Sequence, residues 1–216
     1  MNSKKVMKLS WIEELSQIHD ENKSFIGYEA ETGAIFLPPY HSTAKAQIEI
    51  TTDENGNFIQ ASKVSKEDTV TIIPVTMDSG ARSSDPSPHP LCDKLIYIAG
   101  DYAHFVPIKD KDKDKYQDYI ALLGKWRESP YTHAKVDAIY SYLKKGTLLQ
   151  DLINERVLEQ EENGTKLSNT KIEGIDQKDC FVRFRVEGTG RESRTWRDET
   201  LFDSFILYNK ACHKED

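Results

Sequence analysis

An α+β fold, with an antiparallel β-sheet carrying a hairpin and at least four flanking α-helices, follows from three features of the sequence. The stretch AQIEITTDENGNFIQASKV alternates apolar and polar residues on both sides of Asn55-Gly56, the dipeptide that favours a tight hairpin turn. Tyr116, Tyr119, Ile120 and Leu123, and again Val136, Ile139, Tyr140 and Leu143, recur at helical spacing. A late segment, CFVRFRV, returns to the two-residue period of a strand.

The elements follow in order. Ser10 and Glu13 form a capping box ahead of Trp11, Ile12, Leu15 and Ile18, so a first helix runs from Ser10 to about Asn22. A strand is expected at Ala34 to Leu37, then a loop holding Ser42, Thr43 and Lys45, then the hairpin, then a strand from Val70 to Val75. Asp78 to His89 reads as a flexible loop of small and polar residues. Pro90 suits a first helical turn, Leu91, Leu95, Ile96 and Ile98 an apolar side, and Gly100 a C-terminal cap, so a helix is expected directly after that loop. Lys109 to Lys115 alternates charge as a solvated connection. Two amphipathic helices follow, the second capped by Thr132 and ended by Gly146, and a third lies around Leu148 to Val157. The polar segment 159–170 is expected to be mobile, between a helical part and a carboxy-terminal strand-helix part that ends with a helix from Asp198 to Lys210.

Composition narrows the function. With 216 residues, one domain with embellishments can bury roughly 70% of the surface of its unfolded chain. The net charge of −7, from 29 basic and 36 acidic side chains, excludes the simplest nucleic-acid signature, so contact with a polyanion must come from local patches. No segment approaches the ~20 apolar residues of a membrane span, and the basic start lacks an apolar core, so a cytoplasmic protein is expected. Cys92, Cys180 and Cys212 are widely spaced and odd in number, which argues against a disulfide framework or a zinc site. Nucleotide-loop, serine-elbow and zinc-protease motifs are absent, and the six histidines lack ligand spacing. No cofactor, metal or catalytic activity is expected.

Binding chemistry converges on two regions. In Asp78 to His89, the serine hydroxyls can donate and Arg82 can fork onto a phosphate or a guanine edge. In Phe181 to Arg197, five arginines stand against Glu187 and Glu192 beside Phe181 and Trp196, which suits backbone tracking and stacking; the alternative is a sheet face paired with acids of the same protein.

Four stretches, LPPYHSTAKAQIEITTDENGNFIQA, PHPLCDKLIYIAGDY, YLKKGTLLQDL and TWRDETLFDSFILY, resemble in order and spacing the amino-terminal part of the large subunit of the type I-C CRISPR surveillance complex (Cascade). The resemblance runs from about Ser10 to Asp216 and implies a single amino-terminal domain, 1–216, of a larger subunit. It implies a DNA-binding, non-enzymatic role in antiviral defence: recognition of the protospacer-adjacent motif in double-stranded DNA, help in opening the duplex for the guide RNA, and recruitment of a separate helicase-nuclease. Partners would be target DNA, guide RNA, the other Cascade subunits and that helicase-nuclease, with no membrane. The DNA-binding residues expected on this basis are Arg82, Ser83, Ser84 and His89, then Ser42, Thr43 and Lys45, with Arg183 and Arg185 holding duplex or guide RNA. Asp85 departs from the small neutral residue of the family pattern and opposes a phosphate beside Arg82. Two other readings stay open: a metal-independent endoribonuclease using His41 or His89 with Tyr40, and a structural assembly module docking through Phe181 to Arg197.

Overall fold

A computed structural model describes residues 26–27, 35–80 and 87–213. The chain divides into two compact units, Met1–Pro39 and Tyr40–Asp216. In the first, Gly27 takes a left-handed φ of 80° and its N–H donates to the Phe36 carbonyl at 3.0 Å. The helix expected from Ser10 and half of the Asp78 to His89 loop, residues 81–86, lie outside the described residues. Of the strand expected at Ala34 to Leu37, Ile35 makes an isolated bridge.

The second unit is α+β. Its first strand, β1 (His41–Lys45), pairs antiparallel with β4 (Val70–Pro74), Lys45 opposite Val70. The expected loop before the hairpin is therefore a strand, and Ser42, Thr43 and Lys45 stand on it. The hairpin forms as its sequence dictates: β2 (Ile48–Thr52) pairs antiparallel with β3 (Phe58–Lys63), with a register shift at Thr51/Thr52. The Asp53 carboxylate organises the turn, accepting from the backbone N–H groups of Asn55 and Asn57 at 2.9 and 2.7 Å, and Gly56 supplies a φ of 73°. On the other side of β2 lies β7 (Val182–Val186), and this pair is parallel, so the central sheet is mixed, in the order β3-β2-β7.

The helix expected from Pro90 is much shorter. Asp93, fully buried, accepts from the N–H groups of His89 at 2.7 Å and Lys94 at 2.8 Å, while Lys94 bridges Phe181 and Leu95 N–H donates to the Cys180 carbonyl. The sheet and the Asp93 side chain thus claim the backbone groups that a helical turn would need. What remains is α2 (Leu95–Ile98), preceded by the single turn α1 (Met77–Gly80) and followed by α3 (Tyr102–Phe105). Gly100 is not a helix cap but a point of close approach: a Cβ there would stand 2.9 Å from Tyr116 Cζ and 3.0 Å from Gly146 Cα.

The periodic segments form α4 (Lys115–Glu128), α5 (Ala134–Leu143), α6 (Leu148–Asn154) and α7 (Glu199–Cys212). The α5 cap is His133, whose Nδ1 accepts from Lys135 N–H at 3.2 Å, rather than Thr132. The charge-alternating run contains a short 3-10 turn, Asp110–Asp112, and its last lysine is partly buried, 2.6 Å from Asp112 and 4.8 Å over the Tyr97 ring. Segment 159–170 is closed by Gln177, whose amide donates to the carbonyls of Glu159 and Ser168 at 2.7 Å each, and Leu167 is buried. A two-residue hairpin, β5 (Lys171–Ile172) and β6 (Ile175–Asp176), follows it. Because β7 joins β2, the residues before and after this segment share one apolar core, from Ala46 through Trp126 and Leu149 to Tyr208. Among the described residues, no helix is long and apolar enough to cross a membrane.

Candidate nucleic-acid interface

Strand β1 presents its polar side chains outward: Ser42, Thr43 and Lys45 are exposed, while Ala44 turns partly toward the core. Of its two edges, β4 occupies one, and the sheet has two strands. The carboxy-terminal end of β1 opens onto a groove of about 990 Å³. Four lysines from four separate segments line it, Lys45, Lys66, Lys94 and Lys171, with Gln47 and Phe181 in its floor and Glu173, Asp176 and Asp179 on the side of the β5–β6 hairpin.

The floor is rigid for a local reason. The buried Gln47 side chain donates to the Lys45 carbonyl at 2.9 Å and accepts from Phe181 N–H at 2.8 Å, while Gln47 N–H donates to the Phe181 carbonyl at 3.0 Å. Thr69 carries the pattern on, its carbonyl accepting from Ala46 N–H at 2.9 Å and its hydroxyl donating to the Lys66 carbonyl at 3.3 Å. Among the described residues no carboxylate pairs with Lys45, Lys66 or Lys94; Lys171 lies 3.4 Å from Asp176. Beneath the groove, burial pushes the Cys180 thiol up to about 12.

The expected DNA-contacting residues fall into three groups. Lys45 lines the groove and His89 is close to it, its ring 6.3 Å from that of Phe181. Arg82, Ser83 and Ser84 lie outside the described residues; Asp78 and Ser87, which flank them, line a second concavity of about 760 Å³ with Lys125. Arg183 and Arg185 are turned toward other side chains of the protein, Arg183 most completely. It is 2% exposed, its guanidinium reaches Glu49 at 2.8 Å and Asp68 at 2.7 Å, donates to the Asp68 carbonyl at 2.7 Å, and covers the Trp196 ring at 3.8 Å. Four of its five N–H donors are spent inside the protein, and the side chain is too buried to offer the fifth to a phosphate. Arg185 shares Glu49 at 2.8 Å and donates to Ser193 Oγ at 3.0 Å, with 29% of its side chain exposed. β7 is largely buried yet alternates like a half-solvated strand, because its arginines are paired with Glu49 inside the protein, so sequence reasoning could not separate the two cases.

Lys66, Lys94 and Lys171 were invisible to that reasoning because each is one lysine in an unremarkable context, and only the pairing of β1 with β4 and of Lys94 with Phe181 brings them together. His41 packs edge-on against Phe202 and Phe205, at 4.9 and 5.6 Å, and so has different aromatic neighbours from His89. Among the described residues, no group of three His, Cys, Asp or Glu side chains is placed to hold a metal ion.

No curated protein matches the chain. The family model described as CRISPR-associated protein (Cas_Csd1) matches residues 21–216, all but the first twenty residues. The chain therefore belongs to the CRISPR-associated protein (Cas_Csd1) family and is a CRISPR-associated Cascade component.

Proposed function

We propose that this chain is the DNA-contacting part of a type I-C Cascade complex in the cytoplasm, where it recognises the protospacer-adjacent motif in double-stranded DNA, helps to open the duplex for the guide RNA and helps to recruit the helicase-nuclease. It does so as a binding subunit, with no catalysis of its own. The observation that carries the reading is family membership across residues 21–216. The exposed polar row of β1 supports it: Ser42 and Thr43 offer small hydroxyls of the size a minor groove admits, and Lys45 offers a charge to the flanking phosphate. Arg82, Ser83 and Ser84, in the segment that follows α1 in the sequence, act with them, and His89 does so from beside Phe181. Weak contact suits this division of labour, since guide pairing reads the sequence and the protein reads only a short motif.

The test uses the assembled complex with its guide RNA. Ser42→Ala/Thr43→Ala is expected to lower the preference for a duplex carrying the motif over one lacking it by about tenfold, on the scale of one or two lost edge contacts. Undiminished discrimination in that variant overturns the assignment of β1.

A further inference from the structure

We infer that the groove beside β1 holds a phosphodiester backbone through Lys45, Lys66 and Lys94, by charge and without reading bases. The inference rests on the nucleic-acid role proposed above and adds two residues, Lys66 and Lys94, that neither the sequence nor the family resemblance singles out.

Four observations carry it. First, Lys45, Lys66 and Lys94 line one groove in a protein of net charge −7, and among the described residues none of the three forms an ion pair with a carboxylate. Like charges gathered this way repel one another, and an anion in the groove relieves that repulsion. Second, their backbones are fixed: the Lys45 carbonyl by Gln47, the Lys66 carbonyl by Thr69, and Lys94 by Asp93 and the Phe181 bridge. The backbone that carries the array is therefore preorganised, and a ligand has only the exposed lysine side chains to order.

Third, an open groove of about 990 Å³ lined from separate segments is far larger than one phosphate needs and suits several in succession. Lysine is a point charge without the planar fork that reads guanine edges, so the expected contact is to backbone. Phe181, at 7% exposed, has too little free face for a base to stack on, which again favours backbone over base. Fourth, the acids that line the groove, Glu173, Asp176 and Asp179, lie on or next to the β5–β6 hairpin in the sequence and not in the segments of Lys45, Lys66 and Lys94, so a polyanion is expected on those three lysines.

A backbone could come from the target duplex or from the guide RNA, and the experiment separates the two. Complexes assembled with wild-type chain and with Lys66→Gln/Lys94→Gln are titrated with target duplex between about 50 and 200 mM salt. Two lost phosphate contacts should flatten the dependence of log K on log salt by about 1.8, which is about a twelvefold smaller loss of affinity over that range. The flattening is expected for duplexes with and without the motif, and Lys66→Arg/Lys94→Arg should restore the wild-type slope. If the duplex slope is unchanged but the variant loses guide RNA as salt rises, the backbone is that of the guide. Unchanged slope together with unchanged guide retention overturns the inference, and loss of assembly with neighbouring subunits alone assigns the groove to a protein partner and overturns it too. Failure of the wild-type complex to prefer the motif removes the motif-reading role, while the slope difference still reports on the groove.

Discussion

Arg183 shows how much one side chain can decide. Glu49 holds it at 2.8 Å and also takes Arg185 at 2.8 Å, so a single carboxylate, 13% exposed, joins both strand arginines. Removing the arginine takes one of its two guanidinium partners from Glu49 and leaves only Arg185; a broken buried pair costs about 3–5 kcal/mol where the remaining charge is unpaired, so the lower end of that range is expected. Arg183→Ala is therefore expected to lower the free energy of unfolding in a denaturant titration by that amount while the salt dependence of DNA binding by any complex that still assembles stays as in wild type. A folded, fully stable variant with a flattened salt slope would reverse the assignment and return Arg183 to the nucleic-acid surface. Residues of this kind were the least legible ones in the sequence, because Arg-Phe-Arg has the same spelling whether its charged face meets solvent or a buried glutamate. Lys135 repeats the lesson: an ordinary helical lysine in the sequence, it is 1% exposed and ion-paired with Asp198.

Elements were legible where local chemistry and tertiary packing agree. The hairpin carries its own turn residues, and α4 and α7 carry long apolar stripes, so all three appear where periodicity puts them. Strand β1 was hidden because HSTAK is short, polar and exposed on most of its positions, and only its pairing with β4 makes it a strand. The start of α5 was hidden for a different reason, since histidine is an uncommon cap. His133 Nδ1 accepts from Lys135 N–H, so the ring proton sits on Nε2, which donates to Thr200 Oγ1 at 3.1 Å, and that hydroxyl in turn donates to Asp198 Oδ1 at 2.6 Å. Burial holds the His133 imidazole below its usual 6.5, against an opposing pull from Asp198 and with a further push from Lys135. As pH falls below 6.5 the unfolded chain takes up its proton first, so stability that is fully present above that pH is lost as pH drops through the lower folded value. Asp198 moves the same way at more acidic pH: burial raises its carboxyl, but hydrogen bonds from Lys135 and Thr200 and the charges of Lys135 and His133 leave it depressed on balance. His133→Asn keeps a capping acceptor and removes the titration. Its unfolding free energy should vary less than that of wild type between about pH 7 and 5, and identical slopes in both proteins would rule out this role for the ring.

At the scale of the whole molecule, the described part of Tyr40–Asp216 is tied together by a core that strands and helices from both ends of that unit share. Its thiols make that continuity measurable. Cys92 and Cys180 are buried, each pushed up to about 12 by burial first of all, whereas Cys212 is exposed on the last turn of α7. A thiol reagent at neutral pH is expected to modify Cys212 quickly and the other two only as fast as the fold opens. Rapid reaction at Cys92 in the native protein would mean that the region around Asp93 opens independently of the rest.

The parallel pairing of β2 with β7 carries a timetable. Ile48 meets Val182 and Thr52 meets Val186, so the middle strand of the central sheet lacks one neighbour until more than a hundred further residues have left the ribosome. During that interval the hairpin has one edge open, and closing so long a loop favours slow folding over fast. Synthesis therefore exposes this edge to chaperones before the chain itself can cover it.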